Sequence, residues 1–499
     1  MSVEGNKRIA RVVEIDRDQF VMRPMDVDKL IDESHPARAI WEFVGRQDLD
    51  LFYKDIKAVE GVAGRECWDP RMMITIWVYA YSEGISSARE ISRLLEYHPA
   101  FQWISGLNIV NHHSLSDFRI GYGEALTKLF TEVLGAMSSE GLITMNRITQ
   151  DGTKVEASAS SSSFRREGTI REHLKLAEEQ VKAMEQSADQ EVSKRVEKAR
   201  RRAAREKKER LEKALKELEK VRAVKSGLKE KEDARVSMTD PESRVMKQAN
   251  GGFEPSYNVQ ISTDSEQKII VAMMISKSGT DVGELAAGID KVEENTGSLP
   301  GQVVVDGAYV SASNIVMMEE KKIEMIGPIP DNEAKTAGLK SSSKLSQEFL
   351  ATAFIFHAET NTFICPAGST LRYSGKQISG PNICYTYRAS FTDCQPCPFK
   401  EKCCPSNKAS GRAVTRKEQL PEITRFLEKM QTEEAKEIYK HRSEVAEFPN
   451  LWIKEKFKLR RFRLRGVPKV QIEGLWACLA YNLKQWIRLS GRPVPSTTG

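Results

Sequence analysis

An α/β fold is what this 499-residue sequence predicts, on three observations. Helical patterning fills the stretch from about residue 25 to 140. Short apolar or alternating runs then take over at Ile143 to Ile148, Ser256 to Thr263, Lys268 to Ile275, Gly301 to Val305 and Ile323 to Ile329. A helical stretch, Thr280 to Glu294, falls among those runs. Strands interleaved with helices define α/β architecture.

Each element has a local reason. Pro70 to Tyr81 starts with Pro at a first helical position and is apolar enough to be a core helix that Gly84 stops. Ser86-Ser87-Ala88 carries a cap signal, and Ile91, Leu94 and Leu95 share a face. Ser114-Leu115-Ser116-Asp117 opens another helix. Short helices with scattered Arg suit a DNA-binding unit, or simply a helical core. Asp264-Ser265-Glu266-Gln267 turns a hairpin between two strands.

Two segments interrupt this pattern. Arg165 to about Asp233 is rich in Glu, Lys, Arg and Ala. Its Glu206/Arg210, Glu209/Lys213 and Glu212/Lys216 pairs stand at helical spacing, beside a Leu211, Leu215, Leu218 stripe. One or two long helices follow, as an antiparallel hairpin or a coiled coil. Residues 331–415 are rich in Ser, Gly, Pro and Cys. There Cys365, Cys394, Cys397 and Cys403 (or Cys404) offer a tetrathiolate set suited to structural zinc. His357 and Cys384 are spare candidates, and reduced cysteines in a small β unit are the alternative. Cys67 and Cys478 are isolated and expected in the core.

Hydrophobic content of 40% supports real cores, and charged content of 29% with net charge +6 permits a nucleic-acid partner. The run from Lys454 to Arg465 sets basic residues around Phe457 and Phe462, which suits phosphate contact or a solvated helix face. No apolar run approaches the roughly 20 residues that span a bilayer. No signal-peptide core follows Met1. A soluble, cytoplasmic protein without a membrane partner is expected. Its eight cysteines then serve as thiols or metal ligands rather than disulfides.

Three separated acids carry the chemistry. Asp151 lies in Gln150-Asp151-Gly152-Thr153-Lys154. Asp306 ends Val303-Val304-Val305-Asp306-Gly307-Ala308-Tyr309. Glu447 belongs to Tyr439-x2-Arg442-x4-Glu447-x6-Lys454. Each Asp-Gly alone reads as a turn. Together, carboxylates brought to one place suit a hard divalent cation. With Tyr257-Asn258-Val259-Gln260 between them, these motifs in this order resemble the DDE transposases of bacterial insertion sequences. The resemblance is to insertion-sequence family 1182 and its Tyr-Arg-Glu-Lys signature.

That resemblance implies an RNase H-like catalytic domain in three parts, 141–164, 241–330 and 416–490. It would follow a helical DNA-binding domain at 1–140. A charged helical insert (165–240) and a cysteine-rich insert (331–415) would interrupt it, with a tail at 491–499. Asp151, Asp306 and Glu447 would be catalytic, holding magnesium or manganese, two ions in all. Tyr439, Arg442, Lys454, Arg460 and Arg461 would contact DNA. The partners would be double-stranded DNA, as terminal inverted repeats and target, and a second copy in a synaptic homodimer near the bacterial nucleoid. The rivals are a domesticated nuclease and a non-catalytic DNA-binding descendant.

Three local details stand beside this. Pro449 is expected to kink the chain, leaving Tyr439 and Arg442 on one helix with Glu447 at the kink or the next helix. The Arg442 to Glu447 gap is one residue off the commonest signature, which makes Glu473 the second choice for the third acid. Trp452 is expected in the core, with base stacking as the alternative.

Overall fold

The computed structural model describes residues 17–20, 22, 24–54, 56, 66–186, 194–329, 346–379, 382–404, 411–418 and 420–490. The tail and the first eight residues lie outside them.

The N-terminal part is helical: Pro36–Val44, Pro70–Ser82, Ala88–Tyr97, Pro99–Ser105, His112–Gly121 and Gly123–Ser139. Pro70–Ser82 is buried along nearly its whole length, as its apolar sequence requires. Gly84 leaves it with φ +74°, a left-handed turn that glycine adopts without strain. The helix expected at Ser114 instead starts at His112. Asn111 caps it, its Oδ1 accepting from the backbone N–H groups of His113 (3.0 Å) and Ser114 (2.9 Å).

The main sheet has six strands: β1 (Arg147–Glu156), β4 (Arg244–Lys247), β5 (Phe253–Asp264), β6 (Ile270–Ser276), β7 (Gln302–Val304) and β8 (Glu324–Ile326). A separate pair, β2 (Phe164–Arg165) and β3 (Val236–Ser237), closes the base of the charged segment. Across the main sheet the order is β6, β5, β1, β7, β8, with β4 beside the first half of β5. β1 is antiparallel to β5 and parallel to β7, and β7 is parallel to β8. The helices Glu284–Thr296 and Ala312–Glu320 make the crossovers that parallel strands require.

The helix Val467–Leu489 is buried on most faces. It ties β6 to the N-terminal helices. Asn482 brackets Ile270, accepting from its N–H (3.0 Å) and donating to its carbonyl (2.8 Å). Gln471, about three turns earlier on the same helix, likewise accepts from Ile275 N–H and donates to Met273 O. Side-chain amides thus satisfy backbone groups on the strand that ends this side of the sheet. Trp476 donates to the carbonyl of Arg119. A single apolar cluster consequently runs from Ile31 to Ile487 through helices and sheet.

The charged segment is an antiparallel hairpin of Glu167–Gln186 and Lys194–Val224. Arg222 near the end of the second helix pairs with Glu167 at the start of the first (2.5 Å). Ile170, Ala177, Leu211, Ala214 and Leu218 form its seam. Buried Glu217 joins it to the sheet through Arg244 of β4 (2.5 Å) and Lys277 after β6 (3.2 Å).

The cysteine-rich segment forms its own five-stranded antiparallel sheet. It runs from β9 (Ile355–His357), β10 (Thr362–Ile364) and β11 (Thr370–Ser379) to β12 (Asn382–Arg388) and β13 (Ala413–Glu418). Cys478 is buried as expected, but Cys67 is exposed: it sits on an extended stretch before the buried helix rather than inside it.

Candidate active site

Strand register brings the first two acids to the same end of neighbouring strands. Thr149 of β1 pairs with Val304, the last residue of the parallel strand β7. Asp151 lies two residues further along β1 and Asp306 two residues past the end of β7, near enough for its charge to act on Asp151. The sequence ends the strand that delivers Asp151 at Ile148. Instead β1 continues through Asp151 to Glu156, because β5 pairs with it along that whole length. Asp306 does begin a turn, its Oδ1 accepting from Ala308 N–H (2.8 Å).

The helix Arg442–Leu451 lies over β1 and supplies two groups to Asp151. Asn450 Nδ2 donates to Asp151 Oδ2 (3.0 Å), and Arg442 Nη1 stands 3.6 Å from Oδ1. Burial pushes the Asp151 carboxyl up to about 6. Arg442 opposes that rise, and the charges of Asp306 and Asp281 add to it. Asp151 is 20% exposed, so its charge sits in a confined, half-dry place. Arg442 Nη1 and Asn450 Oδ1 are buried with no hydrogen-bond partner. Polar atoms aimed at a carboxylate and left unsatisfied mark a place built for something further.

On the other face of the sheet, Gly152 pairs with Gln260. Asp281 Oδ1 accepts from Asn258 Nδ2 and Gln260 Nε2, both at 2.7 Å. Tyr309 donates to Gln260 Oε1 (2.6 Å). Burial raises the Tyr309 phenol, and the carboxylates of Asp281, Asp151 and Asp306 raise it further. A Cβ on Gly152 would fall 2.1 Å from Asp281 Oδ1 and 2.5 Å from Gln260 Nε2. Glycine at 152 is therefore what lets this polar bracket close behind the acids.

The remaining expected residues fall as follows. Glu447 is exposed on the Arg442–Leu451 helix, one turn before Asn450. Tyr439 is on the preceding helix, Glu433–Lys440, half-buried against the main core. The helical break therefore comes at His441, and Arg442 and Glu447 share a helix that contains Pro449. This corrects the expected kink. The helix runs on through Pro449 and passes into a π-helical turn, Trp452–Lys456. Lys454 lies in that turn. Burial lowers its ammonium pKa, Arg460 lowers it further, and the charge of Asp151 opposes both.

Arg460 pairs with Glu455, and Arg461 with Glu156 (2.5 Å), both at the surface. The stretch beyond Lys458 is irregular and bent, not a helix face. Leu459 and Phe462 are buried there, as is Phe457 just before it. Trp452 packs among Phe448, Phe457 and Tyr481, in keeping with a core role. Glu473 is fully buried, accepting from the N–H groups of Arg463 (3.1 Å) and Leu464 (2.9 Å), with Arg119 at 4.0 Å. Its oxygens are occupied in holding the Arg463–Leu464 turn.

Asn450 and Asp281 were not anticipated from sequence. Asn450 had a signal: eight residues after Arg442, it returns to about the same helical face. Among the described residues, no three His, Cys, Asp or Glu side chains stand close enough together to hold a metal ion. No helix there is long and apolar enough to cross a membrane.

Comparison with known families gives two matches. Residues 364–487 match the family "Transposase DDE domain", and residues 25–120 match "Transposase domain (DUF772)". Neither a curated protein nor a solved structure matches the chain. The two matches support an insertion-sequence DDE transposase, a class that cuts and transfers DNA and generally uses divalent metal ions such as magnesium. The DDE match includes Tyr439, Arg442, Glu447 and Lys454, and ends before the last two residues of the buried helix Val467–Leu489.

Proposed function

We propose that the chain is a DNA transposase that binds the terminal inverted repeats of its element and carries out metal-dependent strand cleavage and strand transfer. The observation that carries this is the pair Asp151, on β1, and Asp306, just past the end of the parallel strand β7, with Asp151 held by the helix that also bears Arg442 and Glu447. The order β6, β5, β1, β7, β8, with its one antiparallel and one parallel flank of β1, supports an RNase H-like reading of the sheet. It supports reading β1 and β7 as the strands that deliver the first two acids.

The donor set fits a hard cation. Asp151 and Asp306 offer carboxylate oxygens in the same neighbourhood, and the raised pKa of Asp151, set by burial and added to by the charges of Asp306 and Asp281, is a cost that a cation would relieve. Glu447, one turn from the residue that touches Asp151, would complete the set by turning its exposed side chain toward β1. When bound, magnesium or manganese, two ions in this reading, lowers the pKa of water and stabilises the leaving 3′ oxygen.

The protein's own groups do the rest. Asn450 and Arg442 hold the Asp151 carboxylate in one orientation. Arg442 has a guanidinium N–H free for phosphate, and Lys454 brings a second cation nearby. Tyr439, Arg460 and Arg461 would extend the contact along the DNA backbone, the two arginines exchanging Glu455 and Glu156 for phosphate. Two DNA ends must be processed together, so the working form would be a homodimer in a synaptic complex.

A cleavage assay tests this. Duplex carrying the element's terminal repeat is incubated with protein, with and without magnesium, beside Glu447→Ala and Glu473→Gln variants. Magnesium-dependent nicking at the repeat boundary, lost in Glu447→Ala and kept in Glu473→Gln, is expected. Cleavage that survives Glu447→Ala would remove Glu447 from the site. Binding with no cleavage under any metal would point to a non-catalytic descendant.

A further inference from the structure

We propose that Cys365, Cys394, Cys397 and Cys403 hold one structural zinc ion that closes the five-stranded sheet β9 to β13, a site separate from the acids on the main sheet. Five thiols, these four and Cys404, line a single cavity of about 30 Å³. They come from three places in the chain: the turn after β10, the short helix Phe391–Cys394 with the turn beyond it, and the short helix Lys400–Cys403. The fold thereby separates candidates the sequence leaves level. Cys384 lies on β12 opposite Gln377 and Lys417, and His357 is exposed on β9. Neither lines the cavity.

Three further observations point to a cation. All eight cysteines are free, so no disulfide competes for these sulfurs. Backbone N–H groups already donate to two of them, Ser369 to Cys365 Sγ (3.2 Å) and Arg412 to Cys394 Sγ (3.4 Å). Such bonds orient a coordinating sulfur and stabilise its negative charge. The cavity also presents Arg412 and Lys400, and Arg412 Nε is buried with no hydrogen-bond partner. Four thiolates around a divalent ion leave two negative charges, which these two cations offset.

Cys403 is preferred to Cys404 because Cys365, Cys394 and Cys403 pack against the same apolar cluster. The sulfurs do not stand in ligating positions at present. Binding would require the four side chains to turn into the cavity they line, each thiol giving up its proton to solvent as it coordinates. The need is physical. The buried apolar core of this sheet is Phe354, Phe363, Leu371, Tyr387, Ala389 and Val414. A core that small supplies little stability without a staple.

The test is the metal content of the full chain, purified without chelator from zinc-supplemented culture. About one zinc per chain is expected, tetrahedral by the intense d–d and thiolate charge-transfer bands of the cobalt(II)-substituted protein. Cys394→Ser and Cys397→Ser should lose it, while Cys384→Ser, Cys404→Ser and Asp151→Asn keep it. Wild-type protein that holds no zinc and gives no tetrahedral cobalt spectrum would overturn the proposal, leaving the thiols as small apolar packing groups. Zinc lost from Cys404→Ser but kept in Cys403→Ser would overturn the ligand assignment. Because the readout is metal and not DNA cleavage, the zinc site stands or falls apart from the catalytic reading.

Discussion

The six-stranded sheet is packed in a core that reaches from Ile31 to Ile487, whereas the five-stranded sheet rests on six buried side chains from Phe354 to Val414. The first sheet can bear polar strain: it buries Gln150, Asn258, Gln260 and Asp264 and holds Asp151 partly desolvated. Among the described residues the second buries no such network, and it sets five thiols around one cavity. Apolar area stabilises at roughly 25 cal/mol per Å² buried. The difference teaches that a site of buried charge needs a large apolar surround, and a small sheet needs another kind of tie.

The sharpest way to break that contrast is a core truncation in the small sheet. Leu371 is fully buried there, and Leu371→Ala should cost about 2–5 kcal/mol. Its sheet should become sensitive to limited proteolysis while the main body stays resistant. Simultaneous cleavage throughout the chain would show that the two sheets are one cooperative unit.

Next in size is Asp151→Asn. The folded carboxyl titrates near 6, above its ordinary 3.8. The folded state therefore binds that proton more tightly, and ionising Asp151 costs stability. The cost is absent below pH 4, grows as pH rises through about 6, and is complete above it. Asp151→Asn should stabilise the protein at pH 7.5 by about 1–3 kcal/mol and abolish cleavage, with the gain fading towards pH 4. Chemical denaturation at both pH values checks it, and an equal effect at both would contradict a buried charge.

Gly152→Ala should cost about 1–3 kcal/mol, since its Cβ overlaps Asp281 and Gln260. Thermal denaturation beside Gly168→Ala, where a Cβ meets open space, isolates the polar bracket. Equal melting of the two would mean the bracket yields without strain. The smallest effect is expected from Asn450→Ala. Losing a donor to the ionised Asp151 should raise the acid limb of the pH–rate profile by about one unit. An unmoved limb would detach Asn450 from the acid.

Much of this was legible in the sequence, for identifiable reasons. The helix at Pro70, the hairpin of β5 and β6, the charged helical segment and the strand into Asp306 all carry their periodicity and their punctuation locally. The extension of β1 through Asp151-Gly152 did not show, because a glycine that makes room for Asp281 looks like a glycine that makes a turn. The break at His441 rather than Pro449 was hidden because the helix runs on through the proline into a π-helical turn. Glu473 looked like a candidate ligand only until Arg463 and Leu464 were found on its oxygens. Asn450 and Asp281 depend on contacts between segments far apart in the chain, which no local pattern records.

Asp151, Asp306 and Glu447 are proposed to form one cation site, although Asp306 lies past the end of β7 and Glu447 is exposed. Calorimetric titration of manganese into the full chain tests this most directly, with Asp306→Asn, Glu447→Gln and Glu473→Gln alongside. The account predicts that Asp306→Asn abolishes binding, Glu447→Gln weakens it at least about tenfold, a loss of about 1.4 kcal/mol, and Glu473→Gln leaves it unchanged. Wild-type affinity in Glu447→Gln would contradict it.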